Sequence, residues 1–347
     1  EPDHHESRFH LLHRRISKQS WFGGTEGPPW PLQEETPAIV SFYSFKGGVG
    51  RSTSLAAVAI QQAKLGKRVL LLDFDLEAPG LMSIFPPPEG AQPEVGLVDY
   101  LLEKPITQNN LNLEDFYYRF SDAKVLGDQG GEIIVLPAGC VDANYLEKLA
   151  RINFQQLQTE TTNGQTDKSL LRTLFKELKK HLKPDVLLID SRAGLHDLGG
   201  LALSPLVHRH VLFGLDSEQS WRGMQLAIRQ LGRNRIEAGA NQQECLLVQC
   251  MVSTDQAIRE RSTARFLEQA HEVFSEDYYA ADSDTELDDN LLTVQDLNAL
   301  DAPHTPIVLK HSAEVMGYHS ISDASEVLTS GDFKALGNRI LPEPNRS

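Results

Sequence analysis

The sequence is poor in cysteine, has no long apolar run and carries no excess of basic residues. Its three cysteines, Cys140, Cys245 and Cys250, fit no metal-ligand spacing and cannot all pair. Cys245 and Cys250 stand in an apolar, strand-like run, which predicts buried free thiols and a reducing, cytoplasmic setting. Without an apolar run of about 18 residues we predict no membrane-spanning helix. The polar N-terminus also lacks the apolar region of a signal peptide.

The shortage of basic residues limits the partners that the surface favours. There are 33 lysines and arginines against 48 acidic residues, a formal net charge of −15. Such a surface repels the phosphates of nucleic acids and of anionic membranes, so neither is a predicted partner. The 347 residues, 40% of them hydrophobic, are enough for a sizeable core in one large domain or one domain with appendages.

Two segments are predicted to lie outside the main pattern. Residues 1–36 are expected to form an N-terminal appendage, and 342–347 a short tail. The appendage holds histidines (His4, His5, His10 and His13) without carboxylate or thiol partners at a suitable spacing, which favours a flexible tail over a metal site. A basic amphipathic stretch at 8–18 is expected to dock on protein rather than membrane. An acidic insert near 276–303 lacks the spacing and glycine of a calcium loop and is predicted to be solvated.

Apolar runs and helical patterns alternate along the rest of the chain. The runs predict strands at 38–43, 68–75, 132–137, 185–190, 210–215, 245–252 and 306–310. The patterns between them predict helices at 54–65, 145–157, 169–182, 220–231, 257–274 and 320–340, the last one broken near Gly331. Strands that are apolar on both faces and alternate with helices predict an α/β fold. We expect a doubly wound, mainly parallel sheet with helices on both faces, and an insert near 86–131.

A glycine-rich stretch at 44–53 carries the strongest functional signal. It joins the first predicted strand to the first predicted helix and reads Ser-Phe-Lys-Gly-Gly-Val-Gly-Arg-Ser-Thr. Glycines let backbone N–H groups approach phosphate oxygens, and the helix N-terminus adds positive potential. A hydroxyl at Ser52 stands where it can ligate Mg²⁺. The stretch therefore predicts a site for the phosphates of a nucleotide.

Carboxylates follow two other predicted strands. Asp73 and Asp75 end the strand at 68–75, two residues apart and so on the same side, and a Pro-Gly turn follows. Asp190 ends the strand at 185–190, in the form that orders Mg²⁺ in P-loop proteins. The glycine-rich turn at 194–200 is of a kind that responds to a γ-phosphate. We expect these elements to meet at one edge of the sheet.

Together these motifs resemble the deviant Walker A ATPases of the MinD/ParA type, a branch of the P-loop NTPases. Their motif, Lys-Gly-Gly-x-x-Lys-Ser/Thr, is matched at 46–52 except that Arg51 replaces the second lysine. The likeness spans most of 37–341 and is closer still to the bacterial KGGVGR-motif variant ATPases. That subgroup also combines the strings found here at 73–80 and at 190–194. It resembles components of bacterial defence gene clusters.

The resemblance implies a role for each matching position. Lys46 would reach across an ATP-bound homodimer to the partner's phosphates, and Asp75 would position the attacking water. Ser52 and Asp190 would hold Mg²⁺, and Gly194 would sense the γ-phosphate. The remaining nucleotide-binding positions are those of the glycine-rich stretch: Gly47, Gly48, Val49, Gly50, Arg51 and Thr53. Gln249 and the loop at 310–313 are looser candidates for contacts with adenine.

Two arginines modify this picture. Arg51 keeps a positive charge but prefers planar, bidentate contacts, so it can act in catalysis while slowing turnover. Arg192 is either a further cation that faces phosphate or a structural partner of Asp75 or Glu77. The predicted function is an ATP-hydrolysing, Mg²⁺-dependent switch that dimerises on ATP and controls a partner protein, with a defence system as the setting. The alternatives are an ATP sensor with little turnover and a ParA-like DNA-binding ATPase.

Overall fold

The computed structural model describes residues 27–107, 111–127, 130–152, 160–162, 165–167, 169–195, 203–237, 244–279 and 294–342. Within these residues, eight strands form one sheet and two more form a small antiparallel hairpin. The strands are β1 (Ala38–Ser44), β2 (Arg68–Phe74), β3 (Tyr118–Phe120), β4 (Glu132–Leu136), β5 (Glu160–Thr162), β6 (Gln165–Asp167), β7 (Val186–Ser191), β8 (Arg209–Gly214), β9 (Glu244–Val252) and β10 (Ile307–Lys310).

The order of the strands decides which chain segments meet. The large sheet runs β10-β9-β8-β1-β7-β2-β4-β3. All neighbours pair in parallel except β3 and β4. Strand β7 therefore lies between β1 and β2, and its register places Asp190 beside Asp73. Three carboxyl ends, those of β1, β7 and β2, adjoin at one edge, where ligands bind in open α/β sheets.

Helices cover both faces of this sheet, as the sequence predicts. They are α1 (Arg51–Lys64), α2 (Leu81–Ile84), α3 (Leu97–Thr107), α4 (Ala123–Leu126), α5 (Tyr145–Ala150), α6 (Leu170–Leu182), α7 (Glu218–Glu237), α8 (Gln256–Asp277), α9 (Ala313–Met316), α10 (Ile321–Leu328) and α11 (Gly331–Ile340). The doubly wound α/β fold is confirmed. No helix among the described residues has the length and apolar character needed to cross a membrane.

The alternation of side chains along each strand divides the core between the two faces. Val40 and Phe42 of β1 pack with α1, α10 and α11, whereas Ile39 packs with α3 and α6 on the other side. Tyr43 joins a third cluster with α7 and α8. Because every central strand is buried on both faces, its sequence is continuously apolar rather than alternating. Cys245 and Cys250 are buried free thiols in this core, as expected.

Several boundaries differ from the predictions. The helix predicted over 145–157 is interrupted earlier: α5 ends at Ala150, because Arg151 and Ile152 bond back in tight turns and Ile152 is buried. Residues 153–157 of that prediction lie outside the described residues. The first helix begins three residues before the predicted start, at Arg51, because Gly50 is its N-cap. Helix α3, strand β3 and the hairpin were not predicted. Their segments lack a clear period, and tertiary packing decides them.

The segment at 27–37 packs against the sheet domain. The indole of Trp30 is buried and its Nε1 donates to the Pro37 carbonyl at 2.8 Å. The backbone carbonyl of Trp30 accepts a hydrogen bond from His208 Nε2 at 2.8 Å. On the other side of the same ring, His208 Nδ1 accepts a hydrogen bond from the Ile39 backbone N–H at 3.0 Å. Arg172 donates to the carbonyls of Gly27 and Pro28. The predicted boundary of the appendage at residue 36 stays a prediction, and residues 1–26, with their histidines and basic stretch, lie outside the described residues.

His208 makes stability depend on pH. Burial lowers the pKa of His208 from 6.5 to about 4, although the hydrogen bond to Trp30 opposes the shift. Between these values the unfolded chain binds a proton that the folded protein does not, so stability falls as the pH decreases. We expect His208 to account for a loss of about 2 kcal/mol in unfolding free energy from pH 7 to pH 5. Urea unfolding of wild type and His208→Gln at both pH values measures it.

The exposed His319 offers a matched control, His319→Gln, which should keep the wild-type pH dependence. If His208→Gln loses as much stability between pH 7 and pH 5 as wild type does, His208 is not the group responsible.

Candidate functional site

The glycine-rich loop and the start of α1 form an open cradle of backbone donors. Gly48 and Gly50 have φ values of 73° and 86°, a left-handed conformation that favours glycine. A Cβ added at Gly47, Gly48 or Gly50 would meet nothing within 4 Å, so the loop borders open space. Gly50 caps α1 without any side-chain hydrogen bond. The first N–H groups of the helix, from Arg51 to Thr53, are therefore available to an anion such as a phosphate.

The two residues expected to hold Mg²⁺ do meet. Asp190, at the end of β7, is 1% exposed, and the Ser52 hydroxyl lies close enough to its carboxylate to lower its pKa. Burial raises the pKa of Asp190, while Arg51 and Ser52 oppose that rise. A hydroxyl beside a carboxylate is the donor set that P-loop proteins offer to Mg²⁺. The residues present thus fit a nucleotide with its metal ion.

Arg51 does not point along the loop but across to the carboxylates. Its Nε donates to Asp190 Oδ1 at 2.8 Å, and one terminal nitrogen donates to Asp75 Oδ2 at 3.1 Å. The other terminal nitrogen lies 3.3 Å from Ser44 Oγ. The side chain is only 9% exposed, and Asp75 13%. The sequence predicted that Arg51 is a cation in the phosphate loop. In the structure its guanidinium is hydrogen-bonded to Asp75 and Asp190, the two carboxylates predicted to position water and to hold Mg²⁺.

Asp73 shapes the loop after β2 instead of facing the cradle. Its Oδ2 accepts the N–H groups of Gly80 and Leu81, both at 3.0 Å, and its Oδ1 accepts that of Asp75 at 3.2 Å. Burial raises its pKa to about 8, and the nearby charge of Asp190 adds to the shift. Asp73 and Asp75, expected on the same side from their spacing, therefore differ: only Asp75 reaches Arg51.

The turn after β7 is fastened to β1. The N–H of Gly194 donates to the Ser44 carbonyl at 3.0 Å, and the Gly194 carbonyl accepts from the Tyr43 hydroxyl at 3.2 Å. Gly194 has a φ of 91°, which suits glycine. The next residues of the predicted turn, 196–200, lie outside the described residues. Arg192, for which two roles were considered, forms an ion pair with Glu77, so its structural role is the one seen.

Phe45 and Lys46, at the beginning of the glycine-rich loop, differ in their contacts. The Lys46 side chain is half-buried, and no bond joins its amino group to any other described residue. Phe45, just before it, packs on Gly223 of α7, where any Cβ would overlap the phenyl ring. Sequence reasoning missed this contact. The signal was a glycine inside a helical pattern, which often marks close packing. The contact sets where the loop begins.

The looser adenine candidates lie away from the cradle along the sheet. Gln249 belongs to β9, separated from β1 by β8, and its Nε2 donates to Ser262 Oγ at 3.0 Å. Lys310 ends the edge strand β10 and pairs with Asp332 at 3.3 Å. The structure does not bring either residue into contact with the described part of the loop at 45–53. Their role in binding adenine stays a prediction.

A cavity of about 580 Å³ lies next to Asp73, on the side of the site away from the glycine-rich loop. It lies where β2 and β4 end, and the residues of the insert at 86–90 line one wall. Cys140 and Val141, which follow β4, line another. Part of the segment predicted as an insert near 86–131 thus lies at the carboxyl edge of the sheet, and the bounds of the insert stay a prediction.

Comparisons with known proteins agree with this geometry. The chain matches the family described as the CobQ/CobB/MinD/ParA nucleotide binding domain over residues 40–273, more than half of its length. The structure of pNOB8 ParA bound to nonspecific DNA is similar with a TM-score of 0.52 and 18% identity, covering 88% of this chain and 98% of that one. MinD of Pyrococcus horikoshii, complexed with Mg-ADP, gives a TM-score of 0.44 and 19% identity over 66% and 77% of the two chains.

A curated relative matches a short stretch only. It is an uncharacterized ATP-binding protein of Methanocaldococcus jannaschii, 45% identical over 47 residues, which are 14% of this chain and 18% of that protein. The chain thus matches less than a fifth of this relative's length. The family match, the parallel sheet order and the glycine-bounded cradle lead to one conclusion: the chain belongs to the CobQ/CobB/MinD/ParA nucleotide-binding domain family, as a MinD/ParA-type P-loop protein.

Proposed function

We propose that this protein is an ATPase switch that binds ATP and Mg²⁺ in the cradle at 45–53. The observation that carries the proposal is that Ser52 and Asp190 lie close together beside a helix N-terminus that no side chain caps. The N–H groups of the loop bind the phosphates, and Ser52 and Asp190 hold the metal ion. Bound Mg²⁺ would neutralise charge on the phosphate oxygens. The family supports nucleotide binding, and turnover by this chain belongs to the proposal.

Asp75 is the residue that we assign to the attacking water. Its carboxylate orients the water and takes up its proton while the water oxygen bonds to the γ-phosphorus and the bond to ADP breaks. The carboxylate lies at the end of β2, two strands from the glycine-rich loop. It is engaged in an ion pair with Arg51. This engagement also supports a second candidate, an ATP sensor with little turnover.

The output of the switch is a change in assembly. We propose that Lys46 reaches the phosphates of a second copy, since its amino group has no bond to any other described residue of its own chain. An ATP-bound homodimer would then present a surface to a partner protein, with a bacterial defence system as the setting that the resemblance suggests. A role on DNA is not favoured: the likeness to DNA-bound ParA is one of fold, and the net charge of −15 opposes DNA binding.

Turnover is tested by phosphate release under steady-state conditions. We expect slow hydrolysis by wild type, a loss of at least about tenfold in Ser52→Ala, and no turnover in Asp75→Ala with ATP binding retained. Lys180→Ala, at an exposed lysine of α6, is the control and should match wild type. Turnover that is absent in wild type but appears in Arg51→Lys would support the sensor. Failure of wild type to bind ATP would refute both.

Dimerisation is tested by light scattering. Wild type with ATP should double in mass relative to the same protein with ADP, and Lys46→Ala should stay monomeric with both nucleotides. The physical reason is that the Lys46 ammonium neutralises phosphate charge across the interface. A wild type that is monomeric with ATP would remove the role assigned to Lys46.

The contact between Phe45 and Gly223 makes a further prediction. Gly223→Ala adds a methyl group that overlaps the Phe45 ring, so the loop must shift, although alanine favours the helix itself. We expect ATP affinity to fall about tenfold, measured by calorimetry, because displacing a packed ring costs roughly 1–3 kcal/mol. Gly317→Ala is the control, since its Cβ would meet only the Ala313 carbonyl, at 3.7 Å. Unchanged affinity in a folded Gly223→Ala protein would show that this packing does not position the loop.

A further inference from the structure

Arg51 uses all three nitrogens of its guanidinium in a single buried cluster. One nitrogen bonds Asp190, one bonds Asp75 and the third faces the Ser44 hydroxyl, over distances from 2.8 to 3.3 Å. These partners come from the ends of three adjacent strands, β7, β2 and β1. A lysine has one nitrogen and cannot span three partners in this planar way. The replacement of lysine by arginine at this position thus has a geometric consequence.

The same contacts cover the atoms that a metal ion would need. Asp190 Oδ1 is 2.8 Å from Arg51 Nε, and the Ser52 hydroxyl lies beside the same carboxylate. A magnesium ion requires oxygen ligands at about 2.1 Å and keeps several of its waters. A buried guanidinium at this distance repels a divalent cation and takes the space of its water shell. Within the described residues, Arg51 is the only basic side chain bonded to Asp75 or Asp190.

The position of Arg51 also joins the cluster to the phosphate cradle. It is the first residue of α1, directly after Gly50, so its backbone N–H belongs to the uncapped helix end while its side chain holds the acids. Phosphate oxygens bound there would compete with Asp75 and Asp190 for the guanidinium, which binds phosphate in the same bidentate way as carboxylate.

We propose that Arg51 is the resident cation of the metal site, and that nucleotide phosphates must draw its guanidinium away before a divalent cation can bind. The proposal rests on the proposed function, because it takes ATP as the ligand of the cradle. It sets an order of binding: nucleotide first and metal second. The nucleotide-free protein excludes the metal ion, and nucleotide binds without it.

Metal exclusion is measured with Mn²⁺, whose free ion gives an electron paramagnetic resonance signal that is lost on binding. Wild type without nucleotide should leave the signal unchanged. Arg51→Ala should bind about one Mn²⁺ per chain without nucleotide, because its two carboxylates and Ser52 are uncovered. The double variant Arg51→Ala/Asp190→Asn should bind none. The control is Arg68→Ala, which removes an arginine that pairs with Glu132 away from this site. This variant should bind no Mn²⁺ without nucleotide.

A second readout follows wild type, in case Arg51→Ala does not fold, and uses Arg51→Lys only to assign the signal. The Nε–H resonance of Arg51, identified by its loss in Arg51→Lys, is followed by ¹⁵N NMR in the presence of a chelator. Adding ATP should shift this resonance, because the hydrogen bond to Asp190 is replaced by one to phosphate. Adding Mg²⁺ without nucleotide, in chelator-free buffer, should leave it in place.

The possible results separate the two proposals. Mn²⁺ uptake by nucleotide-free wild type, or a folded Arg51→Ala that binds no Mn²⁺, would overturn the role of Arg51 even if ATP binds. An Arg51 resonance that does not move when calorimetry shows ATP bound would overturn it as well. Wild type could exclude Mn²⁺ and Arg51→Ala bind it while neither protein binds ATP. That result would support the role of Arg51 as the cation in the metal site and would refute the proposed function.

Discussion

The arrangement of this site depends on β7 pairing in parallel between β1 and β2. That pairing places Asp190 next to the strand that carries the glycine-rich loop and in register with Asp73. All three strands end at the same edge, so acids from two of them and a cation from α1 share one small volume. Moving β7 or β2 to a distant place in the sheet would separate the loop from one of these carboxylates. The polar chemistry of the site is thus a product of backbone hydrogen bonding in the sheet.

Gathering several carboxylates at one edge of the sheet is electrostatically unfavourable. Two sets of contacts offset this repulsion and the cost of burial. Asp73 is buried and its pKa is raised to about 8, but three backbone N–H groups bond its carboxyl and use it to shape the loop that follows. Asp190 is paired with Arg51, whose charge opposes the rise in its pKa. Burying a carboxylate without such partners would cost several kcal/mol. Arg51 therefore stabilises the buried acids, in addition to the role proposed for it in the nucleotide site.

Much of the fold and of the site could be predicted from local sequence. The continuous apolar runs identified the central strands because a strand buried on both faces cannot alternate. The positions of Ser52, Asp75 and Asp190 relative to these strands predicted that these side chains would gather at one edge of the sheet. Helix α3, strand β3 and the early end of α5 escaped prediction. Each depends on packing against elements distant in sequence, as the buried Ile152 does at the end of α5.

The sequence by itself determined the fold class, the edge of the sheet that carries the site and the residue types gathered there. Tertiary structure alone decided how those residues are paired. Three nitrogens of Arg51 on Asp190, Asp75 and Ser44, the Phe45 ring on Gly223, and the Arg192 ion pair with Glu77 all join segments far apart in the chain. Periodicity reports which face of an element is buried, whereas a contact between two side chains depends on distances that only the assembled sheet sets.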